Sequence, residues 1–104
     1  MHSIEWAAGL FEGEGCITNM DNKRGRKVCK MQMTDLDVLQ TFQEVVGMGG
    51  IVGPNKIYKE HHKPSWTWSI TGKQDIIKFL STMLPYFHNR RAYKALNILD
   101  DLEL

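Results

Sequence analysis

Two glutamates, Glu12 and Glu14, stand one residue apart among three glycines in the stretch Gly9 to Gly15, GLFEGEG. The residues before them read as a helix, with Ser3 at the N-cap position and Ile4, Trp6, Ala7, Ala8, Leu10 and Phe11 apolar almost all the way round. Local rules disfavour such an ending. A glycine inside a helix costs roughly 0.5 to 1 kcal/mol relative to alanine, and a carboxylate near the C-terminus opposes the helix dipole by roughly 0.3 to 1 kcal/mol. Gly9 and Gly13 lie four residues apart, so they share one face, and a helix face without side chains admits a second helix at close range. If that second helix were another copy of this one, Glu14 of each copy would converge near the symmetry axis. Like charges that close need a cation, and carboxylate oxygens select hard divalent ions such as magnesium. A frayed helix end with a solvated acidic turn is the plainer account, and EGEG alone leaves it open.

The other residues with chemical potential are mostly cations. The net charge is only +1, but its distribution is uneven: residues 16 to 34 carry Lys23, Arg24, Arg26, Lys27 and Lys30 against Asp21 alone. Residues 49 to 72 carry Lys56, Lys59 and Lys63 against Glu60. Positive charge gathered into two segments of one kind suits a polyanion, although a solvated hairpin with scattered lysines would look the same. His61 and His62 are adjacent, so on a strand they point to opposite faces and make a poor metal pair. Cys16 and Cys29 make no disulfide framework and fit no common zinc spacing, which predicts reduced residues in or near the core.

The elements that must position these groups follow from periodicity. Cys16 to Asn22 and Lys27 to Thr34 read as two strands joined by a turn. The second strand alternates, with Cys29, Met31 and Met33 on one face and Arg26, Val28, Lys30, Gln32 and Thr34 on the other. Thr34 or Asp35 then caps a helix to Val46, whose apolar stripe is Leu36, Leu39, Phe42, Val45 and Val46. A second hairpin is predicted from Ile51 to Lys59 and Ser65 to Thr71, with Trp66, Trp68 and Ile70 as its core face. Helices follow over Asp75 to Leu84 and, beyond Pro85, over about Asn89 to Leu102, the latter with Ala92, Ala95, Leu96, Ile98 and Leu99 inside. The 104 residues therefore predict one α+β domain over 1–104, an αββαββα unit with a four-stranded antiparallel sheet plus a C-terminal helix. No apolar run is long enough to span a bilayer and no leader sequence opens the chain, so a soluble, intracellular protein without membrane association is expected.

WAAGLFEGEGC, residues 6 to 16, resembles the signature of the LAGLIDADG homing endonucleases, Ala7 to Gly15 matching its nine positions. The order of helices and hairpins is also similar, as is LPYFHNRRAYKAL, residues 84 to 96. Departures are conservative: Ala7 for Leu, Gly13 for Ala, and Glu for Asp at both acidic positions. The resemblance implies that signature helices form the interface of a symmetric homodimer, here through Trp6, Gly9, Leu10 and Gly13, and that the strands form a saddle over duplex DNA. It implies a catalytic metal, magnesium or manganese, held by Glu14 and the carbonyl of Gly13, with Glu12 more structural than catalytic. Gln32 would position the attacking water and Arg90 would stand near the scissile phosphate. A second basic residue of the pattern would fall at Leu36, so Lys30, Lys94 or Lys73 must substitute, or activity is reduced.

The function so implied is hydrolysis of one phosphodiester in each strand of a nearly palindromic duplex, by a protein of a mobile element such as an intron or intein. Sequence reading would fall to Thr18, Arg24, Arg26, Lys30 and Gln32, because arginine can pair with guanine and glutamine with adenine in the major groove. Lys56 and Lys59 would add phosphate contacts. Their facing depends on whether Gly53 and Pro54 bulge the strand. Two alternatives share the fold: a regulator that binds DNA without cutting, and a splicing cofactor that binds its intron RNA.

Overall fold

The computed structural model describes residues 2–19, 26–55 and 63–103. Its elements are α1 (Ile4–Glu14), β1 (Gly15–Asn19), β2 (Lys27–Met33), α2 (Leu36–Val46), β3 (Gly50–Val52), β4 (Trp66–Ile70), α3 (Lys73–Met83), a 3-10 turn (Leu84–Tyr86) and α4 (Asn89–Glu103). The four strands form one antiparallel sheet in the order β1-β2-β4-β3, so the later strand of each hairpin lies inside. This is the expected α+β architecture of four helices on a four-stranded sheet.

The period-2 patterns decide which face is covered. Ile17, Cys29, Met31, Trp68 and Ile70 are buried, while Cys16, Lys30 and Gln32 are exposed on the alternate positions. Against the apolar face pack Ala7, Ala8 and Phe11 of α1, Leu39 and Phe42 of α2, Ile76, Phe79, Leu80 and Met83 of α3, and Ala95, Ile98 and Leu99 of α4. The centre is aromatic. Trp68 meets Phe42 edge-on at a centroid distance of 4.8 Å, and Phe11 meets Phe79 likewise at 5.0 Å. A buried indole needs a partner for its N–H, and Trp68 Nε1 donates to the Met48 carbonyl at 3.0 Å. Gly49 makes that approach possible: its φ of +91° is left-handed, and any β-carbon there would collide with the Trp68 ring.

Local signals account for most boundaries. Ser3 Oγ accepts the Trp6 N–H at 3.1 Å and starts α1. Asp35 occupies the N-cap of α2 without a side-chain capping bond. The first strand of the second hairpin is far shorter than Ile51 to Lys59: Gly53 and Pro54 interrupt pairing after Val52, since proline has no N–H to give the ladder. Asn55 rejoins it, its N–H donating to the Ser65 carbonyl at 2.6 Å. Helix α3 begins at Lys73, two residues before the expected Asp75, with Gly72 as N-cap. Two burial expectations fail. Leu96 is 43% exposed, because α4 turns the Ala95, Ile98 and Leu99 side inward and leaves Leu96 with Tyr93 outside. Cys16 is exposed, since its register with Lys30 places it on the open side of the sheet; both cysteines are free, as expected.

Candidate active site and nucleic-acid interface

The open face of the sheet carries side chains in rows set by register. Cys16, Lys30, Ser69 and Gly50 align across the four strands, and Gln32, Thr67 and Val52 align across β2, β4 and β3. Thr18 pairs with Val28 further along β1. Gln32 is not a free side chain. Its Nε2 donates to Ser65 Oγ at 2.8 Å, and Asn55 Nδ2 donates to Ser65 Oγ at 3.2 Å and Thr67 Oγ1 at 3.0 Å. Neither Asn55 nor Ser65 is marked by any sequence motif, although the alternation of β4 does place Ser65 and Thr67 opposite the tryptophans.

Glu14 closes α1 and is exposed, and Gly15 next to it opens β1. Gly15 pairs with Met31, so the start of β1 brings Glu14 to the part of β2 that carries Gln32. A groove of about 340 Å³ lies beside this junction, lined by Gly15, Cys16, Ile17, Arg90, Arg91 and Lys94. The helix end and three cations from the start of α4 are thereby brought together. Of the candidates to replace a base at Leu36, Lys94 lines this groove and Lys30 stands opposite Cys16. Lys73 does not: it lines a second groove with Arg26, Lys27, Thr71, Gly72, Ile76 and Leu102, at the other end of β2. Arg26 is thus at the opposite end of β2 from Gln32. Arg24, Lys56 and Lys59, with His61 and His62, lie outside the described residues.

The junction is held by a latch that joins residues 76 apart in the chain. The His88 backbone N–H donates to Glu12 Oε1, and His88 Nδ1 lies 2.8 Å from Glu12 Oε2. Arg91 Nη2 donates to the Glu12 carbonyl at 2.9 Å, and its guanidinium sits 5.4 Å from the centre of the Phe11 ring. His88 accepts the Ala92 N–H at its own carbonyl, so Glu12 meets the N-terminus of α4, where a negative charge is favoured. The hydrogen bond from His88 holds the Glu12 carboxyl below its ordinary range, and the same bond raises His88. This geometry ties both the carboxylate and the carbonyl of Glu12 to the start of α4. Sequence reasoning placed neither His88 nor Arg91 in that role, because nothing local links position 12 to position 88. Cys29 is removed from any thiolate chemistry, since burial pushes its thiol up to about 12.

Gly9 and Gly13 are exposed, and β-carbons built on them would meet nothing within 4 Å. Trp6 and Leu10 on that side of α1 are half-buried. Among the described residues no group of three or more His, Cys, Asp or Glu side chains could hold a metal. What α1 does offer is oxygen: the Glu14 carboxylate, and the Gly13 carbonyl, which lies in the last turn where no helical N–H follows to bond it. That is a hard, all-oxygen donor set, of the chemistry magnesium or manganese prefers, but one chain supplies only part of a coordination shell.

These features define a class: an α+β protein of repeated helix-and-hairpin units whose first helix ends in acids beside a basic groove. The family model described as a LAGLIDADG-like domain matches residues 4–83, and the chain belongs to that family. Solved homing endonucleases share its fold. The structure of I-CvuI in complex with the I-CreI target is similar with a TM-score of 0.71 at 18% identity, over 96% of this chain and 65% of that one. I-CeuI complexed with DNA gives 0.70 at 19%, over 97% and 54%, and I-TnaI gives 0.70 at 13%, over 98% and 72%. The chain thus spans about 65% of the length of I-CvuI. A comparison with curated protein sequences gives no match. No helix among the described residues is long and apolar enough to cross a membrane.

Proposed function

We propose that this chain is a site-specific double-strand DNA endonuclease that works as a homodimer on a nearly palindromic target. The observation that carries the reading is the exposed Glu14 at the end of α1, followed directly by Gly15, which lines a groove with Arg90, Arg91 and Lys94 at the edge of a sheet whose open face is polar. A carboxylate beside three cations suits a phosphodiester: the cations offset its charge and the acid supplies an oxygen ligand. Duplex DNA as the partner is supported by the complexes of I-CvuI and I-CeuI, whose folds are similar.

Glu14 and the Gly13 carbonyl of each protomer would hold the divalent ion, magnesium or manganese. When bound, such an ion stabilises charge on the phosphorane and leaving oxygen and acidifies water. Arg90, with Lys94 in place of the base absent at Leu36, neutralises the scissile phosphate in the transition state. Gln32, its amide nitrogen anchored on Ser65, offers its carbonyl oxygen to order the attacking water. Trp6, Gly9, Leu10 and Gly13 form the protomer contact: bare glycine positions on an exposed helix face allow a second α1 to approach and bring two copies of Glu14 together. Thr18, Lys30 and Gln32 face the bases, and Arg26 adds contacts toward the ends of the site.

The test is selection from a random duplex pool in calcium, followed by transfer of the enriched site to magnesium. Enrichment of a near-palindrome, then scission of both strands, is expected. Enrichment without scission would make the chain a DNA-binding regulator. Retention of structured RNA in preference to every duplex would make it a splicing cofactor.

A further inference from the structure

The open face is chemically divided. One row, Cys16, Lys30, Ser69 and Gly50, crosses all four strands and carries a cation beside the basic groove; the next row, Gln32, Thr67 and Val52, with Asn55 and Ser65 beyond it, is uncharged. Val52 is 65% exposed, a branched apolar side chain in register with Thr67, which is itself in register with Gln32. Resting on the proposed DNA-binding function, we propose that this uncharged row is a specificity site for A·T base pairs, with Val52 reading the thymine methyl.

The donor and acceptor accounting carries the argument. Both N–H groups of Asn55 are spent on Ser65 Oγ and Thr67 Oγ1, and one of Gln32 is spent on Ser65 Oγ. With the Gln32 carbonyl given to the attacking water, the Asn55 carbonyl is the acceptor left for an incoming base among the described residues, and the two hydroxyls, which only accept within the network, keep their O–H to donate. In the major groove adenine shows an acceptor at N7 beside a donor at N6, while thymine shows an acceptor at O4 beside a methyl group. The Asn55 carbonyl beside the hydroxyl donors matches adenine, and Val52 with the Thr67 methyl matches thymine. Guanine shows two adjacent acceptors, for which arginine or lysine is the fitting partner, and among the described residues neither stands in the row of Gln32, Thr67 and Val52. Because the network fixes the amides before DNA arrives, little side-chain freedom is lost on binding.

The assay is the random-pool selection in calcium with the full chain and two variants, Val52→Lys and Asn55→Ala, each first shown to keep the wild-type circular dichroism and melting temperature. Wild type is expected to enrich A·T pairs at one or two adjacent positions of each half-site, by about tenfold over G·C. Val52→Lys should move the preference at one of those positions to G·C, and Asn55→Ala should flatten it. Replacing the selected thymine by deoxyuracil, which removes only the methyl, should weaken wild-type binding by about fourfold and leave Val52→Lys unaffected. A half-site whose preferences do not change with Val52 or Asn55 would overturn this inference and leave the endonuclease reading standing. Failure to enrich any duplex would overturn both.

Discussion

Replacing Gly15 by alanine should destabilise the fold although nothing in its backbone angles forbids a side chain there. Gly15 has φ −87° and ψ 165°, ordinary extended values. The obstacle is Phe11: an added β-carbon would lie 2.5 Å from both its ring Cε1 and its carbonyl oxygen. The ring cannot swing away, since it is fully buried among Phe42, Trp68, Phe79 and Phe87. The carbonyl cannot either, because it accepts the Gly15 N–H that ends α1. Overpacking of this kind costs roughly 1 to 3 kcal/mol, and two collisions, one of them with backbone, argue for the upper end. Alanine returns roughly 0.7 kcal/mol by stiffening the unfolded chain, so a net loss of about 2 kcal/mol is expected. For a domain of this size that lowers the melting midpoint by about 10 °C. Gly9→Ala is the control of opposite sign. Nothing stands within 4 Å of its added carbon, so helix propensity alone should stabilise the isolated chain by about 0.8 kcal/mol. Urea melts followed by circular dichroism, on samples that sediment as monomer, measure both. A Gly15→Ala variant within 0.5 kcal/mol of wild type would refute the close-approach argument.

Other consequences are equally specific. Gly9→Leu should stiffen the helix yet prevent the proposed dimer; an unchanged sedimentation coefficient at high concentration would contradict the role assigned to the glycines. The Glu12 and His88 pair predicts a pH window. Glu12 is depressed below 4.5 and His88 raised above 6.5, so their contribution is complete between those values. It fades in acid as Glu12 protonates and in alkali as His88 loses its proton. In urea midpoints from pH 4 to 8, His88→Ala should remove the alkaline decline and shrink the acid one to the part held by the His88 backbone N–H, and Glu12→Gln should remove both. Arg90→Ala with Lys94→Ala should weaken duplex binding uniformly across sequences and lower the slope of log affinity against log salt by about 2. An unchanged slope would place both cations away from the phosphates.

Much of this architecture is legible in the residues, and what escapes has physical causes. Alternation in Cys29, Met31 and Met33, and in Trp66, Trp68 and Ile70, fixes which sheet face is covered, because one register slip would expose an entire apolar row. Ser3 and the glycines mark helix ends through local bonding. Interactions between distant segments leave no such trace. The latch from Glu12 to His88 and Arg91 spans most of the chain, and the Gln32 network needs Asn55 and Ser65 to meet across a bulge. Leu96 misleads for another reason: its spacing suits either side of a helical stripe, and only the placement of α4 decides. The three glycines of GLFEGEG looked alike in sequence, yet Gly15 answers to Phe11 within the chain while Gly9 and Gly13 face outward.

The most direct measurement is magnesium-dependent cleavage of the selected duplex by wild type and by Glu14→Gln. The substitution keeps the size of an exposed side chain and removes its charge, so fold, sedimentation and calcium-supported duplex binding should be unchanged. Wild type should cut both strands and the variant neither, with scission falling by a factor of a thousand or more on the order expected for loss of a transition-state charge. Unchanged cutting by Glu14→Gln would contradict the account at its centre.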